Sequence, residues 1–357
     1  MSIVIEEGVL SPTQTSEYQP KASTRKAWKD YEKFAFRVLF VFVIQLCIPL
    51  TARFYNNLFS IDWKHVSWQN ISGIASGLGA PDYIDLPDAY IWDFLSYINL
   101  FVALAIALIL SVIWSILSPQ AKEYRKAYYW ITVIARYRLA FGIIAWGYKK
   151  FVPMQMELPT HTFLNTPFAD FSEQKLYWQG VGIAQYYEVF LGFAEVICGV
   201  FLLFRKTTAI GAALTFVLLG NIVIANHAYE GMVHVHSFTY ALLALIILWK
   251  DLEYIVRIFI HKQDVLPVTY VPSFSQAWQQ YSRHGLRIAS WGIFIVFLLY
   301  LHLFDTLGYR YPHNSPGLSN AVGAYEVSQF KINNKEVPYN PNDPVRWQDA
   351  VFENWST

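Results

Sequence analysis

The apolar run from Gln185 to Phe204 carries one carboxylate, Glu195, near its middle and another, Glu188, near its start. A run of this length matches the roughly 20 residues that a helix needs to cross a bilayer. An ionised acid at the centre of such a span costs a few kcal/mol or more, so it must face protein or a polar cavity and not lipid. Glu188, Gly192, Glu195 and Gly199 fall at i, i+4, i+7 and i+11, which puts both acids and both glycines on one helical stripe. That stripe is expected to pack against another helix.

The chain has 357 residues, 55% of them hydrophobic and 18% aromatic, with only 15% charged. This composition lies outside the range of soluble domains and inside that of membrane proteins. Seven apolar stretches are expected to span: 34–54, 91–118, 131–151, 179–204, 207–226, 232–249 and 286–304. The fold class is therefore all-α, a polytopic membrane bundle. Residues 1–33 are polar, contain Pro12 and Pro20, and lack the apolar centre of a secretory signal, so the first helix is expected to be retained.

Net charge is +1, which gives no electrostatic reason to expect nucleic acid or an acidic partner. The placement of the charge is more informative. Lys21, Arg25, Lys26, Lys29 and Lys33 precede the first span, Lys122, Arg125 and Lys126 precede the third, and Arg205, Lys206, Lys250, Arg257, Lys262 and Arg283 follow the same alternation. The positive-inside rule then puts the N-terminus in the cytoplasm and, with seven spans, the C-terminus outside. Lys149 and Lys150 break the pattern. Cys47 and Cys198 lie in apolar spans without a C-x-x-C, so packing explains them better than redox chemistry.

The connection 55–90, with Trp63 and Trp68, is expected to lie at the headgroup level outside. Residues 152–178 form a second outer loop, and Leu252 to Ile260, too short to cross, reads as an interfacial helix within a cytoplasmic segment 251–285. Beyond residue 305, Ala324 to Ile332 alternates with period two, Asn333-Asn334 offers a turn, and Val337 to Tyr339 resumes the strand pattern. The tail 305–357 is thus expected to be β-like. One hairpin is marginal alone, so the tail should dock on the outer loops or a partner, or belong to a longer protein.

Polar groups gather toward the outer ends of the spans. Asn226, His227, Tyr229 and His234, together with Glu188 and Glu195, could bind and protonate a quinone headgroup, with Glu195 as the proton-handling acid. His234, His236 and Met232 resemble a soft-metal ligand set. Positions i and i+2 of a helix diverge, however, so the two histidines share an ion only if the backbone there is not helical. Arg138 is expected near the cytoplasmic interface, where it can snorkel without pairing with Glu195. Asn221 and Asn226 could also serve simply as interhelical glue.

Residues 136–250 resemble the DoxX-like family of small membrane proteins. The resemblance rests on Arg138-Leu-Ala-Phe-Gly142, on Tyr148-Lys-Lys150-Phe-Val-Pro-Met-Gln155, on Glu188 to Arg205, on Thr207 to Gly211, and on Asn221 with Asn226-His-Ala-Tyr229-Glu230. It implies a four-helix core at 131–250 in a bacterial cytoplasmic membrane. The family includes a proposed subunit of a thiosulfate:quinone oxidoreductase and members that bridge redox proteins, while distant relatives act as membrane chaperones or cargo receptors. The chain departs from the family pattern at His234, where relatives tend to carry Lys. The first two spans (34–130), the seventh and the tail lie outside that core and look like additions that serve a partner. The resemblance favours an accessory component that engages an envelope or redox protein outside the membrane. The alternatives are a quinone-linked oxidoreductase subunit and a small-solute transporter; against the last, no inverted repeat is visible.

Overall fold

The computed structural model describes residues 28–77, 81–85, 94–151, 155–156, 158–263, 270, 272–308, 316–318 and 320–355. The segment before residue 28, Met154 and His313 lie outside the described residues. The chain is mostly helical: α1 (Asp30–Cys47), α2 (Ala52–Phe59), α3 (Trp68–Ser76), α4 (Ile98–Leu117), α5 (Arg125–Phe151), α6 (His161–Leu164), α7 (Glu173–Gly182), α8 (Gln185–Leu203), α9 (Thr208–Ala228), α10 (His234–Ile255), α11 (Ala277–Trp291) and α12 (Leu298–Gly308). Helix occupies all seven stretches expected to span. Among the described residues, four helical segments are long and apolar enough to cross a membrane: Phe94–Leu117, Gln185–Leu203, Thr208–Ala228 and Ala277–Asp305.

Of the remaining three, α1, α5 and α10, the central one owes its lower apolarity to position. Helix α5 packs on α1, α3, α8, α10 and α12, so it runs through the middle of the bundle, where Arg138 and Lys150 meet protein and not lipid. The opposite case is α4, which has no charged residue and leaves Ile109 61% and Ile116 72% exposed. Val217 on α9 and Leu286 on α11 are likewise 70% and 72% exposed. Apolar belts on this scale are tolerated where the surrounding medium is itself apolar.

Several boundaries differ from expectation. The first span ends at Cys47 and not at residue 54, because Pro49 pushes Ile48 into an extended conformation (φ −115°, ψ 124°), and α2 starts anew beyond it. The stretch Leu252–Ile260 is not a separate interfacial helix: α10 continues to Ile255 and then through a π-helical turn, Val256–Ile260. A second π-helical segment, Gly292–Phe297, joins α11 to α12, so the last helix begins at Ala277, nine residues before the expected 286.

The largest departure is α3. Trp68 at its start donates its backbone N–H to Asp305 Oδ2 (2.9 Å) and packs edge-on against His302 (centroids 5.1 Å), both on α12. Seven residues on, the Ala75 carbonyl accepts from Arg138 Nη1 at the middle of α5 (2.7 Å). The helix therefore descends into the bundle and does not lie on its surface. The small residues of Ser72-Gly-Ile-Ala-Ser76 permit that close approach, with Ile71, Ser72, Ala75 and Ser76 buried. Its C-terminal carbonyls carry the negative end of the helix dipole, and a buried guanidinium meets them.

The bundle has two distinct ends. One collects Arg125, Lys126, Arg205, Lys206 and Lys250 and is called here the basic face; the other carries the tail. In the tail, β1 (Gly323–Glu326) pairs antiparallel with β4 (Asp349–Phe352), and β2 (Lys331–Ile332) pairs with β3 (Lys335–Glu336). Asn333 and Asn334 both have positive φ (51° and 65°), which fits the expected two-residue hairpin turn. The expected long strand 324–332 is instead broken in two, since 323–326 finds its partner in the last strand. Arg346, 6% exposed, holds the halves together by donating to the carbonyls of Trp347 (2.9 Å), Val327 (3.2 Å) and Val337 (3.4 Å).

The tail docks on the 158–166 loop through Glu353. Its carboxylate accepts from the backbone N–H (2.7 Å) and hydroxyl (2.7 Å) of Thr162 and from the backbone N–H of His161 (3.2 Å), at the first turn of α6. Burial, the largest single influence, raises the Glu353 pKa, but the hydrogen bonds from Thr162, His161 and Thr160 together outweigh it and leave the carboxyl below its ordinary 4.5. A depressed acid stabilises the docked state above that ordinary value and loses the stabilisation as pH falls through the lowered one. Limited proteolysis of the tail is therefore expected to accelerate once pH drops below about 4.5, and Glu353→Gln should accelerate it at pH 7 and flatten the pH response.

Candidate functional site

The stripe of acids and glycines on α8 meets α5. A Cβ on Gly192 would lie 2.5 Å from Phe151 N and 2.7 Å from Gly147 O, and one on Gly147 would lie 2.8 Å from Gly192 O. The two backbones thus touch where both residues lack side chains. One helical turn from this crossing, Lys150 Nζ donates to both oxygens of Glu195 at 2.9 Å. Lys150 is 6% and Glu195 3% exposed, so the pair is sealed from both lipid and water.

Glu188 is fully buried and does different work. Its Oε1 accepts the backbone N–H groups of Gln155 and Met156, both at 3.1 Å, and so ties the connection after α5 to the start of α8. Its Oε2 has no hydrogen-bond partner among the described residues. Arg138, expected at an interface, is 7% exposed and donates to the Ala75 carbonyl and to Tyr240 Oη (2.8 Å), while Tyr240 donates to the Ser76 carbonyl (3.3 Å).

The histidines divide between two places. His234 Nε2 meets Ser96 Oγ (2.9 Å), and His227 Nε2 meets Tyr97 Oη (2.7 Å), with the two imidazoles 4.5 Å apart. His236 accepts from Trp146 Nε1 at 3.2 Å and lies against Tyr240 (4.4 Å between centroids). Residues 234–236 are helical, so His234 and His236 reach different partners, and Met232 is 58% exposed in the preceding turn. The three do not converge as the soft-metal set requires, and no group of three or more His, Cys, Asp or Glu side chains among the described residues does so. Asn226 donates to the Ile222 carbonyl (2.7 Å) and its own carbonyl accepts from Gly231 N (2.9 Å), a role in the α9–α10 turn. Tyr229 stacks on Tyr177 at 4.7 Å.

A cavity of about 640 Å³ opens between α1, α2, α3 and the start of α10. Ile48, Leu50, Phe54 and Leu58 give it an apolar wall, and polar side chains, among them Gln69, Asn70, Asp82, Tyr83, Asn99 and His236, line much of the rest. Asn99 Oδ1 accepts from the N–H groups of Tyr83 (2.9 Å) and Ile84 (2.8 Å), and Tyr83 donates to Gln45 Oε1 (2.8 Å), so the 81–85 segment is fixed against the cavity. An indole can only donate, so in the neutral imidazole the His236 nitrogen facing Trp146 is the acceptor and Nδ1 carries the proton. A concave pocket that joins an apolar wall to placed polar groups is the common form of a small-molecule site. Glu195 does not line it.

Sequence reasoning missed Lys150 as the partner of Glu195, and it missed α3 as an inserted helix. Both left signals. Ile143, Gly147 and Lys150 repeat the i, i+4, i+7 spacing of Glu188, Gly192 and Glu195, and Lys150 is one of the two cations that broke the charge alternation.

Removing one partner of a buried ion pair strands the other charge, whereas removing both does not. Lys150→Met and Glu195→Leu are each expected to cost about 3–5 kcal/mol, with the double variant recovering most of the loss. Unfolding of the detergent-solubilised protein measures this, and additive losses would exclude the pairing.

No protein-family model matches the chain, and no solved structure matches it. The chain is 31% identical over 138 residues to the protein named "Uncharacterized protein YwoB" of Bacillus subtilis (strain 168), a match that covers 39% of this chain and 86% of YwoB.

Proposed function

The chain belongs to the same family as YwoB, and we propose that it is an accessory membrane component that engages a protein partner on the outer side of a bacterial cytoplasmic membrane. In this reading seven helices cross the bilayer, the basic face lies in the cytoplasm, and α5, α8, α9 and α10 form a DoxX-like core. The observation that carries it is the tail. It is pinned to the bundle through Glu353 yet turns large side chains away: Trp347 is 65%, Tyr339 66% and Leu318 66% exposed, next to a loop with Leu164 66% and Phe168 76% exposed. Exposed aromatic groups on a fixed extramembrane platform are typical anchors for another protein. The match to YwoB covers 39% of this chain, so most of the chain goes beyond it, and additions to a small bundle suit a partner-specific role.

Affinity isolation from membranes in mild detergent tests this. A protein is expected to co-purify in near-stoichiometric amount with the wild type and to be lost with Trp347→Ser/Tyr339→Ser at unchanged yield. Recovery of the protein alone would defeat the reading.

The cavity favours a second reading, in which the component also holds a quinone headgroup. The Nδ1–H of His236 offers a donor for a quinone carbonyl, and Ile48, Leu50 and Phe54 suit the ring and the start of its tail. Glu195, held by Lys150 and away from the cavity, is not the proton-handling acid of this version. Solvent extraction of the purified protein should yield quinone from the wild type and about tenfold less from His236→Leu, since the ring's hydrogen bond and its packing are lost together. Equal amounts from both would remove the cavity from consideration.

A further inference from the structure

At the basic face a cavity of about 370 Å³ lies between α5, α9 and α10. Five cations line it, Arg125, Arg136, Arg205, Lys206 and Lys250, against one acid, Asp251. Glu123 engages Arg125 (Nε to Oε2, 2.7 Å), but no carboxylate among the described residues is ion-paired with Arg136, Arg205 or Lys206. Like charges gathered around one cavity repel one another, and an anion that enters relieves that repulsion.

The cavity is also shaped for that anion. Arg136 Nη1 donates to Thr208 Oγ1 (3.3 Å), and its Nε is buried with no partner among the described residues. Thr208 begins the 21-residue helix α9, whose N-cap Thr207 makes no side-chain capping hydrogen bond. The positive end of its dipole therefore adds to the field of the side chains. Lys250 lies 3.6 Å over the ring of Tyr128, which holds the ammonium at the cavity wall. The remainder of the lining includes Val133 and Ile247, and beside it Ile210 and Trp249 are 56% and 65% exposed on the lipid-facing belt.

We infer that this cavity binds the headgroup phosphate of an anionic phospholipid, with the acyl chains along the α9 and α10 belt. Free phosphate or a soluble phosphate ester shares the chemistry of the cations. The cavity's position at the ends of the spans, where headgroups lie, and its opening onto exposed apolar helix faces select the lipid. Arg136, with Thr208 and the start of α9, forms the inner wall of the phosphate site, and Arg205, Lys206 and Lys250 surround it.

The full-length protein purified in a neutral detergent tests this by binding of fluorescent phosphatidylglycerol and phosphatidylcholine, with native mass spectrometry of retained lipid. Wild type is expected to prefer phosphatidylglycerol about tenfold or more, and Arg136→Gln/Arg205→Gln/Lys206→Gln should abolish most of that preference. Lys122→Gln, an exposed cation outside the cavity, should leave it unchanged, and Arg136→Lys should retain some of it. If 10 mM inorganic phosphate abolishes lipid binding, on the order of a millimolar soluble-anion site is present and the lipid assignment falls. A preference that survives the triple variant, or a wild type without preference, also overturns the inference; the wild-type comparison stands even if the triple variant misfolds.

Discussion

The close crossing of α5 and α8 is the constraint on which the rest of the bundle depends. Gly147 and Gly192 bring the backbones into contact, and the Lys150–Glu195 pair fastens the helices beside that point. Each feature requires the other. A charged pair in an apolar medium is tolerable only when sealed, and helices without side chains at their contact point seal it. The glycines in turn gain from a directional contact that fixes the helices' rotation and depth. Lys150 near the end of α5 reaches back toward the middle of α8, so the long flexible side chain sets the axial register.

With α5 fixed as the central helix, its other faces can hold the less regular elements. Arg138 receives the carbonyl end of α3, which explains how a nine-residue helix can enter the bundle without leaving polar backbone groups exposed to lipid. Trp146 orients His236 at the wall of the larger cavity. Arg136 faces the basic cavity at the other end. The central helix is thus the most polar of the long helices because its neighbours are protein on nearly every side. Proposed roles in partner, quinone and lipid binding are distributed over its two ends, while its middle is concerned with holding the bundle.

Much of this was legible in the sequence. Apolar length identified every long helix, and the stripe Glu188, Gly192, Glu195, Gly199 correctly pointed at protein. The turn at Asn333-Asn334 followed from residue type, because asparagine tolerates positive φ. What was not legible depended on tertiary partners. Pattern alone cannot tell a headgroup-level segment from an inserted one, and Trp68 suits either until Asp305 and His302 are seen beside it. A carboxylate's partner is likewise hidden when the cation sits near a helix end, where snorkelling to water is the usual expectation. The expected His234, His236 and Met232 set failed for a simpler reason: helical geometry sends i and i+2 apart, and the helix starts at residue 234.

Substitution at the crossing gives the most direct test of this account. Gly192→Val should destabilise the detergent-solubilised protein by about 2 kcal/mol or more, because the added side chain must push the α5 and α8 backbones apart. Gly220→Val, on α9 with nothing near its missing Cβ, should change stability by less than about 0.5 kcal/mol. Unfolding measured side by side on the two variants decides. A large loss confined to Gly192→Val is the predicted result, and equal stability of the two variants would contradict the close crossing that positions everything else.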